Sequence, residues 1–286
     1  MKTENILLSA PICTLTELNN LFIELTEKNC NQHCKNCYID FSINKKVKDF
    51  ISIDKIKQTL EEITEENLNC IYLTGAEPMT HPDFNNILRL CLTRTNVCIC
   101  TNGSFINEKK ARFLKKVEEE SKFSIIFQLP LDHYNEVKCD DVRSRGSYRQ
   151  VIHAVKYLNK YDFSIFLCVT NFYQEDKNIL LSEFLKIFED LGVHFEKENF
   201  KINECFNKMN TIEENCPQQC CTDCENSRIL TTKGIYSCPF LANDYRGRMG
   251  SNFTDYAKKI SLETNFCSTC LKNKSQMFAI DKKFFN

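Results

Sequence analysis

Three closely spaced cysteines have the clearest capacity for chemistry in this sequence. Cys30, Cys34 and Cys37 are separated by three and two residues in the run Cys-Asn-Gln-His-Cys-Lys-Asn-Cys-Tyr. Three such thiolates can ligate three irons of a four-iron, four-sulfur cluster and leave the fourth iron without a protein ligand. An iron of that kind is a binding site, as an open zinc position is in zinc enzymes. A structural zinc site is the alternative interpretation.

A second group of cysteines lies near the C-terminus. Cys224 and Cys238 flank a predicted β-hairpin whose turn is Lys233-Gly234, and Cys267 and Cys270 form a further pair. Two pairs of thiolates supply four ligands, which suffice for a tetrahedral zinc ion or an iron–sulfur cluster. The sequence therefore predicts a second metal site.

Alternating strand and helix patterns position these cysteines. Six segments, most of them nearly continuous apolar runs, predict strands at 21–26, 70–75, 96–101, 123–129, 163–170 and 198–204. Amphipathic helical stretches lie between them, and this alternation indicates a parallel sheet with right-handed crossovers. Six units are too few to close an eight-stranded barrel. We therefore predict an α/β fold, an open partial (β/α)6 TIM-type barrel over residues 1–204, followed by a small cysteine-rich extension over 205–286. The triplet then follows the first strand, at the edge where barrels carry their chemistry.

Composition limits the possible classes of function. The chain has 286 residues, 42% of them hydrophobic, and a net charge of -1 without basic or acidic blocks. We therefore expect neither a nucleic-acid partner nor a membrane partner, and the absence of a signal peptide favours a cytoplasmic protein. Eighteen cysteines in a reducing compartment indicate metal ligation rather than disulfides. Those within apolar patterns are expected to be buried as small hydrophobes, namely Cys70, Cys91, Cys98, Cys100 and Cys168.

A further motif follows the second predicted strand. Gly75-Ala76-Glu77-Pro78 stands there, and Tyr38 directly follows the cysteine triplet. Together these residues resemble the signature of the radical S-adenosylmethionine (radical SAM) enzymes, with alanine in place of the second glycine of Gly-Gly-Glu-Pro. The resemblance implies a [4Fe-4S] cluster whose open iron chelates SAM. It also implies reductive cleavage of SAM to a 5′-deoxyadenosyl radical that abstracts hydrogen from a substrate.

The resemblance implies a set of SAM contacts as well. Glu77 is expected to pair with the SAM amino group, and Arg143 or Arg145 with its carboxylate. His133 is a candidate acid or base, although a packed histidine is the simpler interpretation. The implied cofactor-binding residues are Tyr38, Gly75, Ala76, Glu77, Asn102, Asp132 and Arg143.

The C-terminal cysteines resemble the SPASM/twitch extension of the same enzymes. That resemblance implies one auxiliary [4Fe-4S] cluster, and thus two clusters per chain, with zinc as the alternative at the second site. The spacing of Cys221, Cys224 and Cys238 also resembles the tail of the molybdenum-cofactor enzyme that rearranges GTP, but the C-terminus lacks that family's glycine pair. Four other cysteines are candidates for substitute ligation or for hydrogen-atom delivery, namely Cys205, Cys216, Cys220 and Cys221.

The function expected from these resemblances is that of a radical SAM oxidoreductase or modifying enzyme. We expect oxidation or epimerisation of a small molecule, assisted by the auxiliary cluster, with a reductant such as flavodoxin or ferredoxin. The first alternative is a maturase of a ribosomally synthesised peptide, although only about 20 residues precede the first predicted strand, too few for a leader-binding domain. The second alternative is a non-catalytic zinc or iron–sulfur binding module.

Overall fold

Strands and helices alternate through most of the computed structural model, which describes residues 10–39, 50–63, 68–205, 223–273 and 277–285. The strands are β1 (Ile12–Thr14), β2 (Asn20–Glu24), β3 (Cys70–Thr74), β4 (Asn96–Cys100), β5 (Ile125–Pro130), β6 (Ser164–Asn171), β7 (Phe200–Glu204), β8 (Ser227–Thr231), β9 (Gly234–Tyr236), β10 (Arg248–Gly250) and β11 (Lys259–Ser261). The α-helices are α1 (Ile53–Glu62), α2 (Phe84–Leu92), α3 (Glu108–Glu119), α4 (Glu136–Val142), α5 (Ser147–Lys160), α6 (Lys177–Asp190) and α7 (Asn265–Asn273).

One large sheet organises these elements. Its order is β10-β9-β8-β2-β3-β4-β5-β6-β7, and all pairs from β8 to β7 are parallel. Its two ends, β10 and β7, are not paired to each other, so the sheet stays open. The predicted open partial barrel is confirmed, and β2 to β7 correspond to the six strands expected from the sequence.

Local sequence explains where the helices begin and end. Ser52 caps α1 by accepting a hydrogen bond from the Lys55 backbone N–H, as its position before the first apolar residue predicts. Gly192 follows α6 with φ of +71°, the left-handed conformation in which glycine commonly ends helices. Among the described helices none is long and apolar enough to cross a membrane.

The two faces of the sheet bury different sets of side chains. Leu21 and Ile23 of β2 pack into the large core beneath the helices, whereas Phe22 between them belongs to a second core on the inner face. This division follows from the two-residue period of a strand. The inner core also contains Ala279 and Ile280, and the Tyr72 hydroxyl accepts a hydrogen bond from the Ile280 backbone N–H at 2.8 Å. The C-terminal segment therefore fills the inside of the partial barrel.

The hairpin after residue 223 continues the barrel sheet. Strand β8 pairs in parallel with β2, and β9 returns antiparallel to β8. The two residues between these strands are Thr232 and Lys233, so the turn lies one residue before the predicted Lys233-Gly234 pair. Gly234 begins β9 with φ of +133°, and a Cβ there would lie 2.5 Å from the Gly250 carbonyl oxygen. The boundary at 204/205 stays a prediction, since the extension contributes a strand to the same sheet.

A buried glutamate links the barrel to the hairpin region. Glu24, at the end of β2, is 3% exposed and accepts a hydrogen bond from the Asn243 side-chain amide at 2.8 Å. Asn243 in turn accepts one from the Thr231 hydroxyl at 3.1 Å. Burial raises the pKa of Glu24 from 4.5 to about 7, although the hydrogen bond from Asn243 acts in the opposite direction.

Replacing Glu24 should change how stability depends on pH. A raised pKa means that the folded state binds the proton more tightly, so this carboxyl group lowers stability as the pH rises from about 4.5 to about 7. The free energy of unfolding of Glu24→Gln relative to the parent should therefore increase over that interval, by roughly 3 kcal/mol at most. Denaturant unfolding at matched iron content measures this difference in free energy at each pH. Glu17→Gln, a substitution at an exposed position, is the control. An equal difference at both ends of the interval would contradict the assignment.

Candidate active site

A cavity of about 240 Å³ opens where the strands of the barrel sheet end. Cys30, Cys34 and Cys37 all line it, so the structure brings the predicted triplet to one place. The loops after β2, β3 and β4 meet at this edge because parallel strands all present their carboxyl ends there. Five of the residues predicted to bind SAM also line this cavity, namely Tyr38, Gly75, Ala76, Asn102 and Arg143.

The loop after β3 supports the residues that precede the first cysteine. The Ala76 backbone N–H donates to the Thr26 carbonyl oxygen at 2.8 Å, and the Glu77 N–H donates to that of Asn29 at 3.0 Å. Gly75 has φ of +130°, and a Cβ there would lie 2.5 Å from the Thr26 carbonyl oxygen. The turn therefore requires glycine at position 75. Ala76 is not among the described residues with positive φ, which explains why alanine is tolerated in the second position.

The carboxylate of Glu77 is fully buried behind the cavity. It accepts hydrogen bonds from the Thr101 hydroxyl at 2.7 Å, the Asn102 N–H at 2.8 Å and the Met79 N–H at 3.1 Å. Burial raises the pKa of Glu77 from 4.5 to about 6, and these three donors oppose that rise. Glu77 thus holds the loop after β4, and it is not among the described residues that line the cavity.

Asn102 contacts the cysteine loop directly. Its side-chain amide lies 3.8 Å from the Cys30 sulfur and donates to the Asn31 side-chain oxygen at 2.9 Å. The Gln32 backbone N–H lies 3.4 Å from the same sulfur. Donors near a metal-bound sulfur tune the redox potential of a cluster, so Asn102 and Gln32 are placed to do this at Cys30.

Arg143 and Asp132 form a buried ion pair beside the cysteines. The Arg143 guanidinium donates to the Asp132 carboxylate at 2.9 Å, and their side chains are 12% and 1% exposed. Asp132 also accepts from the Thr170 N–H at 2.9 Å and the Asn36 amide at 3.2 Å. Among the described residues, the buried Nε of Arg143 has no hydrogen-bond partner. A buried donor without a partner is unfavourable, so this edge of the guanidinium suits an anionic ligand.

The three thiols suit an iron–sulfur cluster in their chemistry. Burial raises the pKa of Cys30 and Cys34, and it raises the pKa of Cys37 to about 11. Each thiolate would also repel its neighbours, so an apolar cavity alone disfavours ionisation. Bound iron removes both penalties because it supplies positive charge directly at the sulfurs. Within the described ranges, no three His, Cys, Asp or Glu side chains are spaced to hold a single metal ion.

Aromatic rings form one wall of the cavity. Tyr38 packs edge-on against Phe240 and Phe278, with ring centroids 5.5 and 6.3 Å apart. Phe278 belongs to the C-terminal segment, whose backbone is anchored by the buried carboxylate of Asp223. That carboxylate accepts hydrogen bonds from the N–H groups of Met277, Phe278 and Ala279 at 2.6 to 3.0 Å. The C-terminus thus contributes to the wall beside the cysteines.

Two cysteines that the sequence pattern assigned to the core line the cavity instead. The Cys100 thiol donates to the Gln128 side-chain oxygen at 3.2 Å, and the Gln128 amide donates to the Cys168 sulfur at 2.8 Å. Both cysteines are only partly buried, whereas Cys70, Cys91 and Cys98 are fully buried as expected. The alternation Cys98, Ile99, Cys100 was the available signal, since it places Cys100 on the inner face at the end of β4.

Other predicted candidates lie away from this cavity. The His133 side chain is buried, its Nε2 lies 2.9 Å from Glu175, and its Nδ1 accepts from the Asn135 N–H at 2.8 Å. His133 is therefore a packed histidine. Arg145 is exposed, and Cys205 is buried and is not among the described residues that line either cysteine-lined cavity. The structure does not describe residues 206–222, so Cys216, Cys220 and Cys221 lie outside the described residues.

The C-terminal cysteines meet around a second, smaller cavity. Cys224, Cys238, Cys267 and Cys270 all line a space of about 20 Å³, together with Phe240, Leu262 and Phe266. Hydrogen bonding with Cys13 and with Cys238 raises the pKa of Cys224, and hydrogen bonding with Cys224 lowers the pKa of Cys238. Four thiols from the hairpin and α7 thus form the group that their spacing predicted.

Comparison with known families identifies the class of protein. The model of the radical SAM superfamily matches residues 27–180, more than half of the chain. The chain belongs to this superfamily. Membership implies a [4Fe-4S] cluster and SAM, and the three thiols and the partnerless Nε of Arg143 fit these groups.

A curated relative matches part of the chain. The antilisterial bacteriocin subtilosin biosynthesis protein AlbA of Bacillus subtilis (strain 168) is 29% identical over 171 residues, 59% of this chain and 36% of AlbA. The aligned region thus spans about a third of the length of this curated relative.

Solved structures support the fold. Native anSMEcpe with bound AdoMet and Cp18Cys peptide gives a TM-score of 0.62 at 15% identity, over 92% of this chain and 84% of that chain. Streptococcus suis SuiB bound to precursor peptide SuiA gives a TM-score of 0.58 at 12% identity, over 90% of this chain and 65% of that chain. At such identities the similarity concerns the fold alone.

Replacing Arg143 should weaken SAM binding. Arg143→Lys keeps a positive charge but loses the planar guanidinium edge that contains Nε. Loss of a charge-assisted hydrogen bond, worth about 1.5–3 kcal/mol, should raise the Kd for SAM roughly 10- to 100-fold. Anaerobic calorimetry on the reconstituted protein measures the Kd. Arg145→Lys, an exposed arginine two residues away, is the matched control, and equal Kd values for both variants would remove Arg143 from the SAM site.

Proposed function

We propose that this chain cleaves SAM reductively at the Cys30, Cys34 and Cys37 site and uses the radical to modify a peptide. The observation that carries the first half is the cavity in which the three thiols face Arg143. When bound, the cluster supplies the electron and SAM supplies the deoxyadenosyl radical. The protein residues orient SAM, set the cluster potential and keep water away from the radical.

The residues that line the cavity and those that support them then have distinct roles. Arg143 binds the SAM carboxylate through the edge of its guanidinium that contains Nε, and Asp132 positions that guanidinium through the buried ion pair. Glu77, expected from the sequence to pair with the SAM amino group, also positions the loop after β4, because it accepts hydrogen bonds from the Thr101 hydroxyl and the Asn102 N–H. Asn102 tunes Cys30. Tyr38, Gly75 and Ala76 contact SAM from the cavity wall.

We assign an auxiliary [4Fe-4S] cluster to Cys224, Cys238, Cys267 and Cys270. The support is their common cavity, whose other lining residues include Phe240 and Phe266. Phe240 also lines the first cavity, so the two cavities have one wall residue in common. A cluster held by these four cysteines would supply an electron acceptor for substrate oxidation, or a group that orients the substrate. A one-electron donor such as flavodoxin or ferredoxin supplies the electron for SAM cleavage.

A peptide is the substrate class that the relatives favour. AlbA is described as a bacteriocin biosynthesis protein, and two of the solved structures with this fold contain peptides. Oxidation or epimerisation of a small molecule is the second candidate. Epimerisation requires a group that donates a hydrogen atom to the substrate radical. Cys100 and Cys168 line the cavity where that donor is needed, and each carries a thiol.

Metal content and SAM cleavage test the two-cluster proposal. Anaerobic reconstitution should give about eight irons and eight sulfides per chain, since three and four cysteines form the two groups. With a strong reductant the protein should form 5′-deoxyadenosine from SAM without substrate. The triple variant Cys30→Ala, Cys34→Ala, Cys37→Ala should retain about half of the iron and form no deoxyadenosine.

The matched control for the triple variant replaces three cysteines that are buried away from both cavities. The variant Cys70→Ala, Cys91→Ala, Cys98→Ala removes the same number of thiols from fully buried positions. It should keep the full iron content of the parent. Retention of all iron by the cluster-site variant, or binding of zinc alone by the parent, would show that the proposal is wrong.

Loss of the auxiliary site should uncouple SAM cleavage from substrate modification. Cys267→Ala with Cys270→Ala leaves the first cavity intact, so deoxyadenosine should still form while modified product falls by orders of magnitude. The assay uses as substrate a peptide from any short reading frame that is found beside the gene, and mass spectrometry measures both products. A purely structural auxiliary site predicts that deoxyadenosine and modified peptide decline together, because metal binding then only stabilises the fold. Turnover of small-molecule extracts but not of the peptide would favour the second candidate.

A further inference from the structure

An arginine is completely buried in the core on the hairpin side of the sheet. Arg228 of β8 is 0% exposed, and it is the largest of the fully buried side chains in the described part of the chain. It lies opposite Leu21 in the parallel pair of β8 and β2, and strand residues that lie opposite each other share one face of the sheet. Leu21 belongs to the large core beneath the helices. Because a guanidinium keeps its proton in proteins, a full positive charge is placed in this apolar core.

Hydrogen bonds hold this guanidinium without neutralising its charge. Its Nη1 donates to the carbonyl oxygens of Cys224 and Ser227, both at 2.7 Å, and its Nη2 donates to that of Lys258 at 3.0 Å. Within the described ranges its buried Nε has no hydrogen-bond partner, and none of the ion pairs there includes Arg228. A buried charge without a counter-ion is strongly unfavourable, so this arginine calls for a negative group nearby.

The proposed auxiliary centre supplies such a group. The carbonyl oxygen and the sulfur of one cysteine are four bonds apart, so they are separated by no more than about 5 Å. With the bond of 2.7 Å from Nη1 to the Cys224 carbonyl oxygen, the guanidinium lies within about 8 Å of the Cys224 sulfur. That sulfur belongs to the group of four cysteines around the smaller cavity. A cluster ligated by four thiolates has a net negative charge.

We propose that Arg228 is the counter-ion of the auxiliary centre and that its charge raises the reduction potential of the bound cluster. Reduction transfers one electron from a reductant to a centre that is already negative, and a fixed positive charge in a low-dielectric core favours that step. The guanidinium stays protonated, so no proton is transferred. The proposal rests on the auxiliary cluster proposed above, and it favours electron acceptance over substrate orientation as the role of that cluster.

The test isolates the auxiliary centre in the full chain. The triple variant Cys30→Ala, Cys34→Ala, Cys37→Ala is the parent, and Arg228→Gln or Arg228→Lys is added to it. Gln keeps a side-chain amide that can donate to the carbonyl oxygens but has no charge, whereas Lys keeps the charge. Iron content is measured, and an anaerobic redox titration with dithionite follows the electron paramagnetic resonance signal of the reduced cluster. Neither measurement depends on enzyme activity.

Removal of the charge should make the cluster harder to reduce. At a fixed ambient potential, Arg228→Gln should lower the ratio of reduced to oxidised cluster roughly tenfold, which equals about 59 mV for a one-electron couple. Arg228→Lys should stay close to the parent because the charge remains. The matched control is Arg248→Gln, which removes the charge of an exposed arginine on β10. It should leave the potential unchanged, since solvent and salt screen exposed charges.

Two results would overturn the role of Arg228. They are a parental potential in an iron-loaded Arg228→Gln variant, and a shift in Arg228→Lys as large as that in Arg228→Gln. If Arg228→Gln binds no iron, the iron content of Arg228→Lys decides instead. About four irons in Arg228→Lys would show that the charge is what the centre requires, and loss of iron from both variants would contradict the proposal. A parent without iron would refute the auxiliary cluster itself.

Discussion

The loop that carries Cys30, Cys34 and Cys37 has no regular secondary structure, so its shape depends on the loops packed against it. The backbone N–H groups of Ala76 and Glu77 hold its beginning through the carbonyl oxygens of Thr26 and Asn29. This contact exists only because Gly75 has no side chain at a point where a Cβ would lie 2.5 Å from a carbonyl oxygen. The close approach of the Gly75 backbone to Thr26 thus positions the start of the loop that carries the three thiols.

Buried charge extends this arrangement across the barrel edge. The Glu77 carboxylate ties the loop after β3 to the loop after β4, and the Asp132 carboxylate ties Arg143 to β6 through the Thr170 N–H. Ionised groups of this kind are unfavourable in a core unless hydrogen bonds satisfy them. Each carboxylate here has three donors, so the charges stiffen the cavity around the thiols while leaving part of Arg143 for a ligand.

The C-terminal extension shares backbone pairing and core with the barrel. Strand β8 continues the barrel sheet beside β2, β1 from the N-terminus pairs with β11, and the C-terminal segment fills the inner face of the sheet. Both cysteine groups therefore share Phe240 as a common wall. The two cavities are thus neighbours in the fold.

The sequence by itself determined the strands of the partial barrel, the cysteine triplet and the four C-terminal cysteines, because period, spacing and ligand chemistry are local properties. Only the tertiary structure decided that the Glu77 carboxylate bonds to the loop after β4 and that Cys100 and Cys168 line the cavity. It alone placed the chain after β1 against the segment that carries Cys224, more than two hundred residues away in the sequence. These contacts depend on which strands become neighbours and which face a side chain occupies, and long-range pairing leaves no periodic signal in the sequence.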